Sequence, residues 1–102
     1  RLRYALEEQK NAMLAAIARH FPEQVRVSHP SGGYFLWLEL PERMDSLKLF
    51  QMALAQGISI APGPIFSPTR RFRHCIRLNY GSPWNEQSEK AMETLGRIMR
   101  SF

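Results

Sequence analysis

Arg77 stands in the middle of the stretch His74-Cys75-Ile76-Arg77-Leu78-Asn79-Tyr80, which Gly81 closes. An arginine keeps its charge at any ordinary pH, so its surroundings must be wet, ion-paired or ready to hold an anion. Its planar fork of donors matches a carboxylate in a bidentate pair, which the point charge of a lysine cannot copy. On the residues alone two readings stay open. Arg77 binds the carboxylate of a ligand, or it pairs with an acid on a neighbouring strand, Glu39 being the obvious candidate. Ion pairs of the second kind are common and contribute little to stability.

The elements that must position this arginine follow from periodicity. As a strand, the stretch turns Ile76, Leu78 and Tyr80 to one face and Cys75, Arg77 and Asn79 to the other. The strongest strand signal is Tyr34-Phe35-Leu36-Trp37-Leu38-Glu39-Leu40, rich in aromatics and alternating. Its leucines can face helices, which leaves Phe35, Trp37 and Glu39 on the opposite side. In a free-standing two-layer domain that side should be mostly polar. Its aromatics point to a partner surface, or to a loop of the same chain lying over Trp37.

The remaining chain reads as follows. Apolar residues at helical spacing predict a helix from Leu2 to His20, stopped by Phe21-Pro22. Val25 and Val27 mark a short edge strand within 24–28, and His29-Pro30-Ser31-Gly32-Gly33 is turn chemistry. Asp45 caps a helix running to about Gln56, with Leu47, Phe50, Ala53 and Leu54 as its buried stripe and Gly57 at its left-handed end. Residues 57–61 form a short strand. Pro62-Gly63-Pro64 then enforces a loop carrying Ile65 and Phe66, where Phe66 is either a binding residue or a plug over the core. Asn85 caps the last helix, whose inward stripe is Ala91, Leu95, Ile98 and Phe102 with Met92 and Met99 flanking, and Gly96 permits close packing. The order predicts an α+β two-layer sandwich: a small, mainly antiparallel sheet of three or four strands with three helices on one face.

Residues 1–102 have room for a single domain. Hydrophobic content of 44% and charged content of 23% are those of a soluble globular protein, which argues against disorder. The lone Cys75 excludes an internal disulfide framework and fits a reducing cytoplasm, and His20, His29 and His74 show no zinc-ligand spacing. No apolar run approaches the ~20 residues of a membrane span, so a membrane partner is not expected. The net charge of +5 invites a nucleic-acid reading. Yet the arginines are scattered, and the one cluster, Arg70, Arg71 and Arg73, reads as a solvated loop. A first residue Arg1 in mid-helix, without a cap, reads as a piece of a longer protein.

Several segments together resemble one family, the C-terminal small domain of fold-type I pyridoxal phosphate enzymes, the aspartate aminotransferase superfamily. They are Pro30-Ser31-Gly32-Gly33-Tyr34-Phe35-Leu36-Trp37, the run from Gly57 through Pro62-Gly63-Pro64 to Phe66, and Ile76-Arg77-Leu78-Asn79-Tyr80. Cys75 to Gly81 followed by Pro83-Trp84 is most similar to the aminotransferase-like domain of MocR-type regulators of the GntR family. In those a winged helix-turn-helix DNA-binding domain precedes the aminotransferase-like part. The resemblance implies that Arg77 binds the α-carboxylate of an amino-acid ligand. It also implies that Asn79, Gly33, Tyr34 and Phe66 help to shape that substrate site.

The same resemblance implies pyridoxal phosphate in the parent protein, held as a Schiff base to a lysine. Lys10, Lys48 and Lys90 all fall on predicted helix surfaces, so the lysine and the phosphate site are expected upstream, and this chain alone is expected to catalyse nothing. The expected partners are the large aminotransferase-like domain of the parent chain, an amino-acid ligand, and DNA only through a separate upstream domain, in a homodimeric parent. Two alternatives stay open: the same domain of a true aminotransferase, and a basic nucleic-acid-binding α+β module.

Overall fold

The computed structural model describes residues 2–28, 34–62, 73–81 and 83–102. The elements are α1 (Leu2–His20), β1 (Arg26–Ser28), β2 (Phe35–Glu39), α2 (Ser46–Ala55), β3 (Ala61–Pro62), β4 (Cys75–Asn79) and α3 (Glu86–Arg100). The strands form one sheet in the order β1-β2-β4-β3, antiparallel at every pair. This is the expected α+β sandwich with β2 and β4 at its centre.

The register fixes which side chains share a face. Leu36 stands opposite Leu78, Leu38 opposite Ile76, and Val27 opposite Leu38. On the other face Phe35 stands opposite Asn79, Trp37 opposite Arg77, and Glu39 opposite Cys75 and Arg26. Leu36, Leu38 and Ile76 are fully buried, sealed under Met13, Ala16 and Ile17 of α1, Leu49 and Ala53 of α2, and Met92, Leu95 and Met99 of α3. Each such side chain contributes about 1.5–3 kcal/mol by leaving water. The ladder of the central pair continues past both ends, from Leu40 N–H to the His74 carbonyl (2.6 Å) and from Tyr80 N–H to the Tyr34 carbonyl (2.8 Å).

The helix ends behave as their residues require. The Asp45 carboxylate accepts from Leu47 N–H at 3.3 Å. Asn85 and Ser88 form a reciprocal capping box at the start of α3, with Ser88 N–H donating to Asn85 Oδ1 at 3.0 Å. Gly96 lies against the end of α1, and a Cβ there would stand 2.8 Å from the carbonyl carbon of His20 and collide with its oxygen. The close packing expected of this glycine is what the two helices use.

Three expectations need correction. The strand expected over 57–61 forms only at Ala61–Pro62. α2 ends in a Schellman closure: Gly57, at φ 80°, donates to the Leu54 carbonyl, and Ile58 N–H donates to that of Ala53. Those donors serve the helix end, so pairing with β4 waits until Ala61. The buried stripe of α2 is Ser46, Leu49 and Ala53, while Leu54 is 53% exposed. This helix is apolar nearly all round, and periodicity alone did not fix its inward side. In α3 the deepest residues are Met92, Leu95 and Met99, with Ala91 and Phe102 only half-buried.

Candidate functional site

β4 places Arg77 by alternation: Ile76 and Leu78 go into the core, and Arg77 emerges half-buried on the face that the three helices leave. Its direct neighbours across the sheet are Trp37 and Ala61. Its guanidinium carbon nevertheless lies 4.6 Å from the centroid of the Phe35 ring, the diagonal neighbour. The head group therefore reaches along the sheet toward the end where Asn79 and Tyr34 sit.

A cleft of about 390 Å³ opens at that end of β4. Leu78 and Tyr80 on the core-facing side of β4, Ile58–Ile60, Met13 of α1, and Trp84, Ala91, Met92 and Leu95 line it, so it lies between the sheet edge and the helices, with Arg77 and Asn79 also contributing to its lining. Its origin is the short β3. Because pairing begins only at Ala61, the Ile58–Ile60 segment diverges from Leu78–Tyr80 and leaves room between them.

Of the site residues expected from sequence, the structure brings Arg77, Asn79 and Tyr34 to one end of the sheet. Asn79 is exposed, and its Oδ1 accepts from Gly81 N–H at 2.7 Å, so the carboxamide oxygen serves a turn and the amide nitrogen is the group left to offer a ligand. Tyr34 is 51% exposed, with its Cβ 3.6 Å from where a Gly81 Cβ would stand. Gly33 and Phe66 lie outside the described residues. Phe35, Ser59, Trp84 and Ser88 were not singled out as site residues. Phe35 had a signal, its alternation onto the Arg77 face, whereas nothing in the sequence ties Ser59 or Ser88 to a cleft.

Electrostatics separate a reactive-looking group from an inert one. The Cys75 thiol is buried, and burial and then the nearby Glu39 charge push its pKa up, only partly offset by a side-chain hydrogen bond with Trp37. It stays protonated and is a poor nucleophile. The three lysines stand elsewhere: Lys10 pairs with Glu7 at 3.2 Å on α1, Lys48 lies 6.0 Å from the Phe102 ring, and Lys90 is exposed on α3. None of them is on the Arg77 face, so they do not fit a Schiff-base anchor for a cofactor held there. Among the described residues no His, Cys, Asp or Glu group could hold a metal ion. No described helix is long and apolar enough to cross a membrane.

No protein-family model matches the chain. The HTH-type transcriptional regulator YdcR of Escherichia coli is 41% identical over 100 residues, which cover 98% of this chain and 21% of that protein. The 2-aminoadipate transaminase of Thermus thermophilus is 33% identical over 102 residues, or 26% of its length. The crystal structure of LysN, the α-aminoadipate aminotransferase of that organism complexed with N-(5'-phosphopyridoxyl)-L-leucine, superposes with a TM-score of 0.85 at 32% identity. That match covers 97% of this chain and 25% of that one. The chain is an aminotransferase-like small domain of fold type I. This small domain thus spans only about a fifth to a quarter of the length of such relatives. It recurs both in HTH-type regulators and in aminotransferases.

Proposed function

We propose that the small domain belongs to a pyridoxal phosphate-dependent, aminotransferase-like transcriptional regulator of the MocR type in the GntR family, and that Arg77 binds the α-carboxylate of its amino-acid ligand. The observation that carries this reading is the Arg77 guanidinium on the sheet face turned away from the three helices, its carbon 4.6 Å from the centroid of the Phe35 ring. The 41% identity to an HTH-type regulator favours the regulator over other parents.

The task of Arg77 is to orient. A bidentate, charge-assisted contact to a carboxylate contributes roughly 1.5–3 kcal/mol and fixes how the rest of the ligand is presented. Asn79 and Tyr34 border the same end of the sheet and shape the approach. When bound in the parent, pyridoxal phosphate supplies the carbonyl that captures the ligand's amine. Its lysine and phosphate site belong to the large domain of the same parent chain, as does contact with the Phe35 and Trp37 face. DNA is reached through a separate domain, the parent is a cytoplasmic homodimer, and the small domain by itself is not catalytic.

The test is Arg77→Ala in the full-length parent. Affinity for the amino-acid ligand should fall by about ten- to a hundredfold with the fold intact, read by calorimetric titration and circular dichroism. Unchanged affinity would reduce Arg77 to a structural residue. A second reading, the same domain in a true aminotransferase, is favoured by the 33% identity to the 2-aminoadipate transaminase along the whole chain. The sequence upstream of Arg1 separates them: a winged-helix segment marks the regulator, and its absence from the full reading frame marks the enzyme.

A further inference from the structure

We infer that the cleft at the end of β4 seats an extended segment of the parent chain from outside residues 1–102, paired backbone to backbone with Asn79; this rests on the reading that the small domain is one part of a longer protein. Tyr80 N–H donates to the Tyr34 carbonyl and Leu40 N–H to that of His74, so the even-numbered residues of 74–80 turn their backbone groups to β2. The odd-numbered ones therefore turn theirs to the β3 side. Arg77 meets Ala61 there, and the same register continued by two residues would put Ser59 opposite Asn79. Pairing, however, begins only at Ala61. Among the described residues no backbone hydrogen bond joins Asn79 to the Ile58–Ile60 segment. The Asn79 N–H and carbonyl thus form an open edge on one of the two central strands, and Asn79 borders the cleft.

An open edge is a template for one more strand. The surroundings suit a strand with apolar side chains: Leu78 and Met92 are buried beneath the cleft, and Ile58, Tyr80, Trp84 and Ala91 stand half-buried around it. The edge offers a single residue, too little to offset the entropy that a free peptide loses on docking. A segment tethered in the same chain arrives at an effective concentration of about millimolar, and a short pairing then holds it. Chain for such a tether is plentiful in the relatives, of which this domain spans 21% and 26% in two cases. α1 also runs past the cleft, with Gln9 Nε2 donating to the Tyr80 carbonyl at 2.8 Å and Met13 in the lining, so parent chain leading into α1 arrives beside it.

The test uses the full-length parent. Hydrogen exchange at single-amide resolution should find the Asn79 amide slowed about tenfold or more against its unpaired rate. A photoreactive benzophenone side chain introduced at Ser59 should crosslink to a segment of the same chain outside residues 1–102, and mixing isotope-labelled with unlabelled copies tells that chain from a partner copy. Ala91→Phe, which fills the cleft from α3, should abolish the crosslink and restore fast exchange at Asn79. Should Ala91→Phe not fold, wild-type exchange and the crosslink decide together. An Asn79 amide exchanging at its unpaired rate would overturn the inference and leave the longer parent standing. So would crosslinks confined to residues 1–102, to a second copy or to a separate peptide, no crosslink at all, or a folded Ala91→Phe that changes neither readout. A reading frame with no chain outside residues 1–102 would overturn the underlying reading as well.

Discussion

At the scale of single residues, the polar cluster around Glu89 is structural. Glu89 accepts from Arg19 Nε and Nη2, the latter at 2.7 Å, lies 2.7 Å from His20 Nε2, and accepts from Trp84 Nε1 at 3.3 Å. Arg19 first, and then His20, hold its carboxyl well below the usual range, at about 2. A carboxylate whose folded pKa is depressed stabilises the fold fully above its unfolded value, about 4.3, and loses that contribution as the pH falls toward 2. Glu89→Gln should therefore be less stable than wild type at neutral pH, with the gap closing between about pH 4.5 and 2. Urea midpoints across that range check it, and a gap that does not change with pH would mean the charge is immaterial. The link from Arg19 and His20 to Glu89 was not legible in the sequence, because these residues lie about 70 positions apart and only the crossing of two helices joins them. Arg77 was legible for the opposite reason: strict alternation on a strand fixes a face without knowledge of any neighbour.

At the scale of elements, the crossing of α1 and α3 depends on a missing side chain. Gly96→Ala gains about 1 kcal/mol in helix propensity, but its Cβ meets the backbone carbonyl of His20, which cannot rotate away. Forced separation of packed helices costs about 1–3 kcal/mol. The substitution should lower the thermal midpoint by a few degrees, and a raised midpoint would show that the crossing yields easily. The same scale shows where periodicity suffices and where it fails. α1 and the central strands followed their patterns: Met13, Ala16 and Ile17 enter the core from the helix, and Leu36, Leu38, Ile76 and Leu78 from the strands. α2 did not, because Leu47, Leu49, Phe50 and Leu54 surround it and only the docked sheet selects Leu49. β3 shortened because Gly57, correctly read as a helix end, brought Ile58 into the same closure. The cleft beside Arg77 is the direct result, and it could not be read from a sequence pattern that favoured a longer strand.

At the scale of the molecule, the sheet has one sealed face and one that carries Phe35, Trp37, Cys75, Arg77 and Asn79. Phe35 and Trp37 remain half-buried there. If the large domain of the parent covers this face, hydroxyl-radical labelling of Phe35 and Trp37 should be several-fold lower in the full-length protein than in the isolated small domain. Equal labelling would place the face in solvent in both. Aromatics alternating on the side of β2 away from the helices marked this face in the sequence, but alternation by itself does not say what covers it.

The central claim is that the Arg77 fork engages a carboxylate, and a chemical double-mutant cycle reads that contact directly. Wild-type and Arg77→Ala full-length proteins are each titrated with the bound L-amino acid and with its carboxamide, and the four affinities give one coupling energy. A coupling of roughly 1.5–3 kcal/mol is expected, with Arg77→Ala nearly unable to tell acid from amide. A coupling near zero, with both proteins discriminating equally, would contradict it.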